Sequence, residues 1–219
     1  MRIDLHTHTI LSDGDLLPIE LARRALAKGH SALAFTDHVS LSTIERVITE
    51  ASRDCELAAE WGIDAVLGVE ITHVPVSKID AVVEEAKRLG AEIVVVHGET
   101  VSEPVEKGTN NAAARNPDVD VLAHPGFITL DEAQAAKDND IALEITSRSA
   151  HSATNGHVAA IARQVGARMV VNTDTHAPED LLTEEEAIMR ALAAGLPRKE
   201  AERAVRKTPV EVIRKARKK

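Results

Sequence analysis

The sequence predicts an α/β fold, a distorted (β/α)7 TIM-like barrel with a helical C-terminal extension. Short apolar runs recur along the chain, segments of helical spacing lie between most of them, and glycine closes several of those segments. Strand–helix alternation of this kind implies right-handed crossovers and a parallel sheet. Seven strands suit an incomplete or distorted barrel better than an eight-fold one. A doubly wound open sheet is the alternative.

The runs, rich in Val, Ile, Leu or Ala, cover residues 3–5, 32–35, 65–69, 92–96, 121–123, 141–145 and 168–171. Helical spacing covers 18–28 up to Gly29, 43–61 up to Gly62, 78–89 up to Gly90, 130–139 after Thr129, and 158–165 up to Gly166. Glycine at these stops supplies the left-handed turn that ends a helix. After the seventh strand the pattern is purely helical. Residues 183–194 open on a capping-box pattern, Thr183 with Glu186, and Gly195-Leu196-Pro197 breaks it. Residues 198–206 and 209–217 follow as short helices. We read residues 1–219 as one domain, with 1–176 the barrel core carrying the site and 177–219 the C-terminal helices. Residues 98–111 and 146–156 are the irregular segments, both after strand ends, where barrel enzymes place their sites.

Composition narrows the function. Of 219 residues, 44% are hydrophobic and 28% charged, as in globular proteins. Two Phe, one Trp and no Tyr leave little to stack bases on, which argues against single-strand nucleic-acid binding. The net charge of −9 is uneven, about +7 over residues 198–219 and −16 over the rest. An acidic body argues against a nucleic-acid coat and suits bound cations; the basic tail reads as a solvated helical face. The lone Cys55, expected as a structural thiol, excludes an intrachain disulfide. With no long apolar run and no signal-peptide pattern, a cytoplasmic protein away from membranes is expected.

Chemistry collects at the strand ends. Strand one gives His6 and His8, then Asp13 in a turn. Strand two ends Thr36-Asp37-His38, strand three Gly68-Val69-Glu70, and strand four His97. Strand five ends Ala123-His124-Pro125, strand six carries Glu144, and strand seven ends Asp174-Thr175-His176. Six of the ten histidines thus hold the same structural position, on one face of a parallel barrel. Burying so many imidazoles and carboxylates without partners is costly, which points to a polynuclear metal site. The donors are nitrogen and oxygen without thiolate, a set that suits Zn²⁺, Mn²⁺ or Fe²⁺. Nine candidate ligands are about right for three ions.

Asp4-Leu5-His6-Thr7-His8 with Ser12-Asp13-Gly14, Thr36-Asp37-His38, Gly68-Val69-Glu70, His97, Ala123-His124-Pro125 and Asp174-Thr175-His176 resemble the PHP (polymerase and histidinol phosphatase) family, in order from residue 3 to about 176. The resemblance is closest to its short stand-alone metal-dependent phosphatases. It implies a distorted barrel, three divalent ions and phosphoesterase chemistry. By motif, His6, His8, Glu70 and Asp174 would hold one metal. Glu70 would bridge to a second, with His97 and His124. Asp13, His38 and His176 would hold the third. Asp37 is expected to orient an imidazole.

The function expected is hydrolysis of a small-molecule phosphate monoester, histidinol-phosphatase-like, by a hydroxide bridging two metals. Glu70, Asp37 and Arg148 are the expected catalytic residues, with Arg148 as a phosphate clamp and Arg115 as a weaker one. A metal-dependent nuclease or nucleotide phosphodiesterase is the enzymatic alternative. A non-catalytic RNA-binding scaffold resembling a ribonuclease P subunit is the other. Of the remaining histidines, His30 is expected to be exposed on the opposite face and His73 to be structural at the rim. His151 and His157, in or after the strand-six loop, are candidates for substrate contact, with a structural role the alternative.

Overall fold

In the computed structural model, which describes residues 1–218, the apolar runs form the strands of a parallel barrel. These are β1 (Arg2–Asp4), β2 (His30–Phe35), the two-residue β3 (His38–Val39), β4 (Asp64–Ile71), β5 (Ile93–His97), β6 (Val121–Ala123), β7 (Ala142–Thr146) and β8 (Met169–Asn172). Their order is β1-β2-β4-β5-β6-β7-β8, with β3 paired to β4 beyond the end of β2. Six strands therefore neighbour their predecessors as the crossover rule requires, and the doubly wound alternative does not hold.

The seam between β1 and β8 explains the distortion. At the top, His8 N donates to Thr175 O at 2.8 Å and Asp174 N to His6 O at 2.9 Å. Below, side chains replace the ladder. Leu5 N donates to Asn172 Oδ1 at 3.1 Å, Thr173 N to Asp4 Oδ1 at 3.1 Å, and Thr173 Oγ1 to Asp4 Oδ2 at 2.8 Å. Asp4 also pairs at 3.1 Å with the guanidinium of Arg2, and both side chains are fully buried.

Period-two alternation sorts the side chains. Ala32, Ala34, Val66, Ile93, Val95, Val121, Ala142 and Val170 fill the barrel interior. Leu33, Phe35, Val94, Val96, Leu122, Leu143 and Ile145 pack outward. The outer layer is α1 (Pro18–Ala27), α2 (Ile44–Ala59), α3 (Ile79–Arg88), α4 (Thr109–Arg115), α5 (Leu130–Asp138) and α6 (Asn155–Val165). Helix α4 was not expected: Thr-Asn-Asn-Ala-Ala-Ala-Arg carries no apolar stripe beyond alanine, and burial of Ala113 and Ala114 holds it together with Glu99, whose Oε1 accepts from Gly108 N and Asn110 N. Helix α6 likewise begins at Asn155, earlier than the apolar spacing from 158 suggested.

The C-terminal helices are α7 (Glu184–Ala193), α8 (Arg198–Arg206) and α9 (Thr208–Ala216), and the Thr183–Glu186 capping box forms. Helix α9 closes the N-terminal end of the barrel: Val212, Ile213 and Ala216 join the interior cluster. The basic side chains of residues 198–218 stay at the surface, as expected of a solvated face, but several are paired. Arg217 forks onto Asp64 at 2.8 Å and reaches Glu92 at the strand starts. Arg206 pairs with Glu184 and Arg203 with Glu211. Lys215 Nζ donates to the carbonyls of Asn139 and Asp140. Among the described residues no helix is long and apolar enough to cross a membrane. Cys55, partly buried in α2, has its thiol pushed up to about 12, first by burial and then by nearby carboxylates, as suits a structural role.

His30 corrects the sequence expectation: it is 2% exposed, not solvated. The strand starts it joins are covered by the segment before α7, and its Nε2 donates to Leu182 O at 2.9 Å. Its Nδ1 is buried without a hydrogen-bond partner. Burial, with Arg2 nearby, pushes its pKa down to about 4 although Asp4 opposes the shift. The unfolded chain takes up this proton near pH 6.5 and the folded chain only near 4, so stability falls as pH drops through that window. The term reaches at most about 3 kcal/mol. Urea unfolding at pH 7.5 and 4.5 should show a smaller pH-dependent loss in His30→Gln than in the wild type; an equal loss would remove His30 as the cause.

Candidate metal centre

Parallel strands end together, and the predicted residues converge there. In β4 the inward positions run Val66, Gly68, Glu70, which puts a carboxylate on the barrel axis. In β5 the same parity brings His97 inward. The segment after β1 bends at Leu5, so Leu5 packs inside and His6 and His8 still face the centre. In β6, parity would send His124 outward with Leu122. A left-handed backbone, φ 27°, re-aims it, and Asp174 is also left-handed at φ 55°. Such conformations cost free energy in non-glycine residues and cluster at functional sites. Pro125 and Gly126 follow His124. A Cβ on Gly126 would lie 1.9 Å from Glu99 O, so only glycine lets the next loop pass.

Glu70 is the hub, with no solvent exposure. Its Oε1 lies 3.3 Å from His6 Nε2, 3.3 Å from His97 Nδ1 and 3.6 Å from His124 Nε2. Its Oε2 lies 2.7 Å from His38 Nδ1 and 3.6 Å from His8 Nε2. Asp174 Oδ1 is 3.1 Å from His8 Nε2 and 3.8 Å from His6 Nε2; Oδ2 is 3.8 Å from His124 Nε2. Asp13, half exposed in its turn, has Oδ1 3.3 Å from His176 Nε2 and 3.6 Å from His38 Nε2.

All nine residues expected as ligands are brought together. They form overlapping groups of mutually close donor atoms: His6–His8–Glu70, His6–His124–Asp174, His38–Glu70–His97 and His8–Asp13–His38–His176. The expected Asp13, His38 and His176 set is reproduced with His8 added. The ring of His8 stands between groups, Nε2 toward Glu70 and Asp174, Nδ1 3.9 Å from Asp13. His38 is likewise shared between Asp13 and Glu70.

The electrostatics follow from packing many titratable groups together. Burial raises the pKa of Glu70, but His6, His38 and His97 outweigh it and hold the carboxyl well below its usual range. Burial opposes protonation of His6, yet Glu144, Glu70 and Asp174 lift it well above 6.5. His38 rises to about 9 against burial because of Glu70 and Asp13. His8 and His124 stay well below 6.5 through burial and then their neighbours His38 and His97. Asp174 is pushed up to about 7, first by burial, with Glu70 and Glu144 adding to it against His6. Protons here balance charge that cations would balance instead, so metal uptake is expected to release protons. Four buried atoms of the site lack a properly aligned hydrogen bond, Glu70 Oε2 in spite of its closeness to His38: His8 Nδ1, Glu70 Oε2, His97 Nε2 and His124 Nδ1. Orphaned imidazole nitrogens and a carboxylate oxygen fit a metal centre.

Two expectations exchange places. Asp37 does not orient an imidazole. It accepts from Thr9 N, Thr9 Oγ1, Ser12 N and Ser12 Oγ at 2.7–3.1 Å, so it holds the turn that carries Asp13. Glu144, whose role the sequence left open, does the orienting. Its Oε1 is 2.8 Å from His6 Nδ1 and accepts from Asn172 Nδ2 at 2.9 Å, while Oε2 accepts from His124 N at 3.0 Å. Carboxylates behind a metal-facing imidazole are worth about 10–100-fold in metal affinity. Glu144→Gln is accordingly expected to weaken metal binding by that factor, read by competitive chelator titration; wild-type affinity would remove this role.

Arg148 reaches the rim of the centre: its Nη1 donates to Asp174 O at 3.3 Å and its Nε lies 3.8 Å from Asp174 Oδ2. Arg115 instead pairs with Asp131 at 2.6 Å on the helix surface, so it is no clamp. His157 Nε2 donates to Ile128 O, a structural bond. His151 is buried beside His124, ring centroids 4.3 Å apart, with Nε2 3.9 Å from Asp174 Oδ2. Glu103, in the loop after β5, was missed. That loop was marked as irregular, but nothing in its sequence singles out one carboxylate.

The PHP domain family matches residues 4–104. An uncharacterised protein of Methanocaldococcus jannaschii is 50% identical over 218 residues, 98% of this chain and 100% of its own. A probable phosphatase of Caldanaerobacter subterraneus is 30% identical over 212 residues, 85% of this chain and 80% of its own. A chain in the cryo-EM structure of archaeal ribonuclease P with mature tRNA shares the fold, with a TM-score of 0.75 and 15% identity over 98% of this chain and 91% of that one. Full-length relatives, the matched motif region and the barrel agree: the chain belongs to the PHP-domain family.

Proposed function

We propose that this protein is a metal-dependent phosphoesterase acting on a small-molecule phosphate monoester. The observation that carries the reading is Glu70, fully buried and ringed by His6, His8, His38, His97 and His124 at the strand C-termini. His6, His8, Asp13, His38, Glu70, His97, His124, Asp174 and His176 would hold three divalent ions, of zinc, manganese or iron. Ions there would supply Lewis-acid charge to phosphate oxygens and lower the pKa of a bound water toward neutral.

The chain's own groups do the rest. Glu144 fixes the ring of His6, and Asp37 fixes the turn bearing Asp13. Half-buried Arg148 stands at the rim, where its guanidinium can take two oxygens of an entering phosphate. The floor of the site is shielded from bulk solvent, since Glu70, Asp174 and most of the imidazoles are buried. Asp37 is committed to the 9–12 turn, so we assign it no proton transfer to the leaving group.

The test compares p-nitrophenyl phosphate, bis-p-nitrophenyl phosphate and an RNA gel shift. Faster monoester turnover, lost in chelator and restored by Mn²⁺ or Zn²⁺, is expected. Preference for the diester would favour a nuclease or phosphodiesterase. Salt-sensitive RNA binding with neither turnover nor bound metal would favour a scaffold. The acidic body and the pairing of Arg203, Arg206 and Arg217 with carboxylates support the monoester reading over both.

A further inference from the structure

We propose an additional divalent-cation site at the rim, a clasp made by His73, Glu103 and the outward nitrogen of His97, with His151 at its edge. Glu103 Oε2 lies 3.1 Å from His73 Nε2 and 3.2 Å from His97 Nε2, and Oε1 lies 3.5 Å from His151 Nε2. Among the described residues, the side-chain partners of this carboxylate are all imidazoles. His73, Glu103 and His97 have donor atoms close enough to share one ion.

The second observation comes from His97 itself. Its side chain is 3% exposed, and its Nε2 is buried with no properly aligned hydrogen-bond partner. That nitrogen points away from Glu70, which the other nitrogen faces, and toward Glu103. The clasp therefore uses a different atom from the one the central groups use; with both nitrogens metal-bound the ring would be an imidazolate, its second proton released to solvent. His151 is held ready: Thr100 Oγ1 and Ser102 Oγ each lie 2.8 Å from its Nδ1, leaving Nε2 toward Glu103.

Two imidazoles and one carboxylate form a nitrogen–oxygen donor set with open positions, which suits Zn²⁺, Fe²⁺ or Co²⁺. An ion there would tie the segment after β4, which carries His73, to the loop after β5, which carries Glu103. Those same segments line a cavity of about 220 Å³, walled by Ile71, Val74, Pro75, Val96, Pro104 and Val105 with His73 and His97 at one end. The clasp would order both walls of that cavity beside the centre.

The inference rests on the metal reading above only through the shared ring of His97, and its test separates the two. Wild type, His73→Ala and Glu103→Gln are loaded with Co²⁺, and metal content and the visible Co²⁺ spectrum are followed by titration. His73 and Glu103 are each more than a third exposed, so both variants should fold, which circular dichroism checks. Each is expected to bind about one equivalent less metal, or to bind its last equivalent at least roughly tenfold more weakly. Glu70→Gln is expected to lose central ions and keep the clasp ion. Wild-type stoichiometry and affinity in both rim variants would overturn the proposal and leave Glu103 an ion pair only.

Discussion

Glu70→Gln is expected to abolish the activity in practice, with a loss well beyond about a hundredfold. That factor is the usual worth of a carboxylate standing behind a ligand, and Glu70 stands in front of five imidazoles. Glutamine keeps the shape but removes the charge and offers one acceptor oxygen in place of two. The oxygens of Glu70 divide the site, Oε1 facing His6, His97 and His124, Oε2 facing His8 and His38. A single acceptor cannot serve both sides. Metal content should fall in parallel, since the ions would lose the central negative charge and a donor oxygen. The checks are p-nitrophenyl phosphate turnover and metal analysis on the same preparation. Wild-type turnover with the metals gone would sink the metal-dependent reading.

Asp4→Ala is expected to be the most destabilising change outside the centre. Asp4 is fully buried, takes a hydrogen bond from Thr173 N and another from its hydroxyl, and pairs with the buried guanidinium of Arg2. Alanine leaves that cation in the barrel with no counter-charge and opens the β1–β8 seam. Breaking a buried pair in this way costs about 3–5 kcal/mol, a large part of the roughly 5–15 kcal/mol that holds a domain together. Urea unfolding in chelator reads the loss without interference from bound metal. The double change Arg2→Met with Asp4→Leu should recover much of it, because neither charge is then stranded. A midpoint for Asp4→Ala equal to the wild type would mean that the seam does not depend on this pair.

Much of this was legible in the residues. Alternating strand and helix signals, with glycine stops, are local properties, and the parallel sheet follows from them. Once the sheet is parallel, strand ends share a face, so His6, Glu70, His97 and Asp174 had to meet. Local signals fail where the cause is distant. Helix α4 has no stripe of its own and exists because alanines pack under α3 and α5. His30 follows a helix-ending glycine, which reads as exposed, yet the segment before α7 covers it.

The same division applies within the site. Residue type and strand position by themselves determined the fold class and the face on which the site collects, and the family motif picked out the nine residues expected as ligands. Only the tertiary structure decided which group faces which: Glu144 behind His6 rather than Asp37, His8 between two carboxylate groups, and Glu103 reaching across to His73, His97 and His151. It also decided that the apolar face of α9, through Val212, Ile213 and Ala216, closes the barrel floor while the cations of residues 198–218 stay at the surface. The physical reason is one of range. Strand and helix patterning acts over a few residues, whereas orientation of a buried polar side chain is set by whichever distant donor or acceptor the closed barrel leaves within about 3 Å.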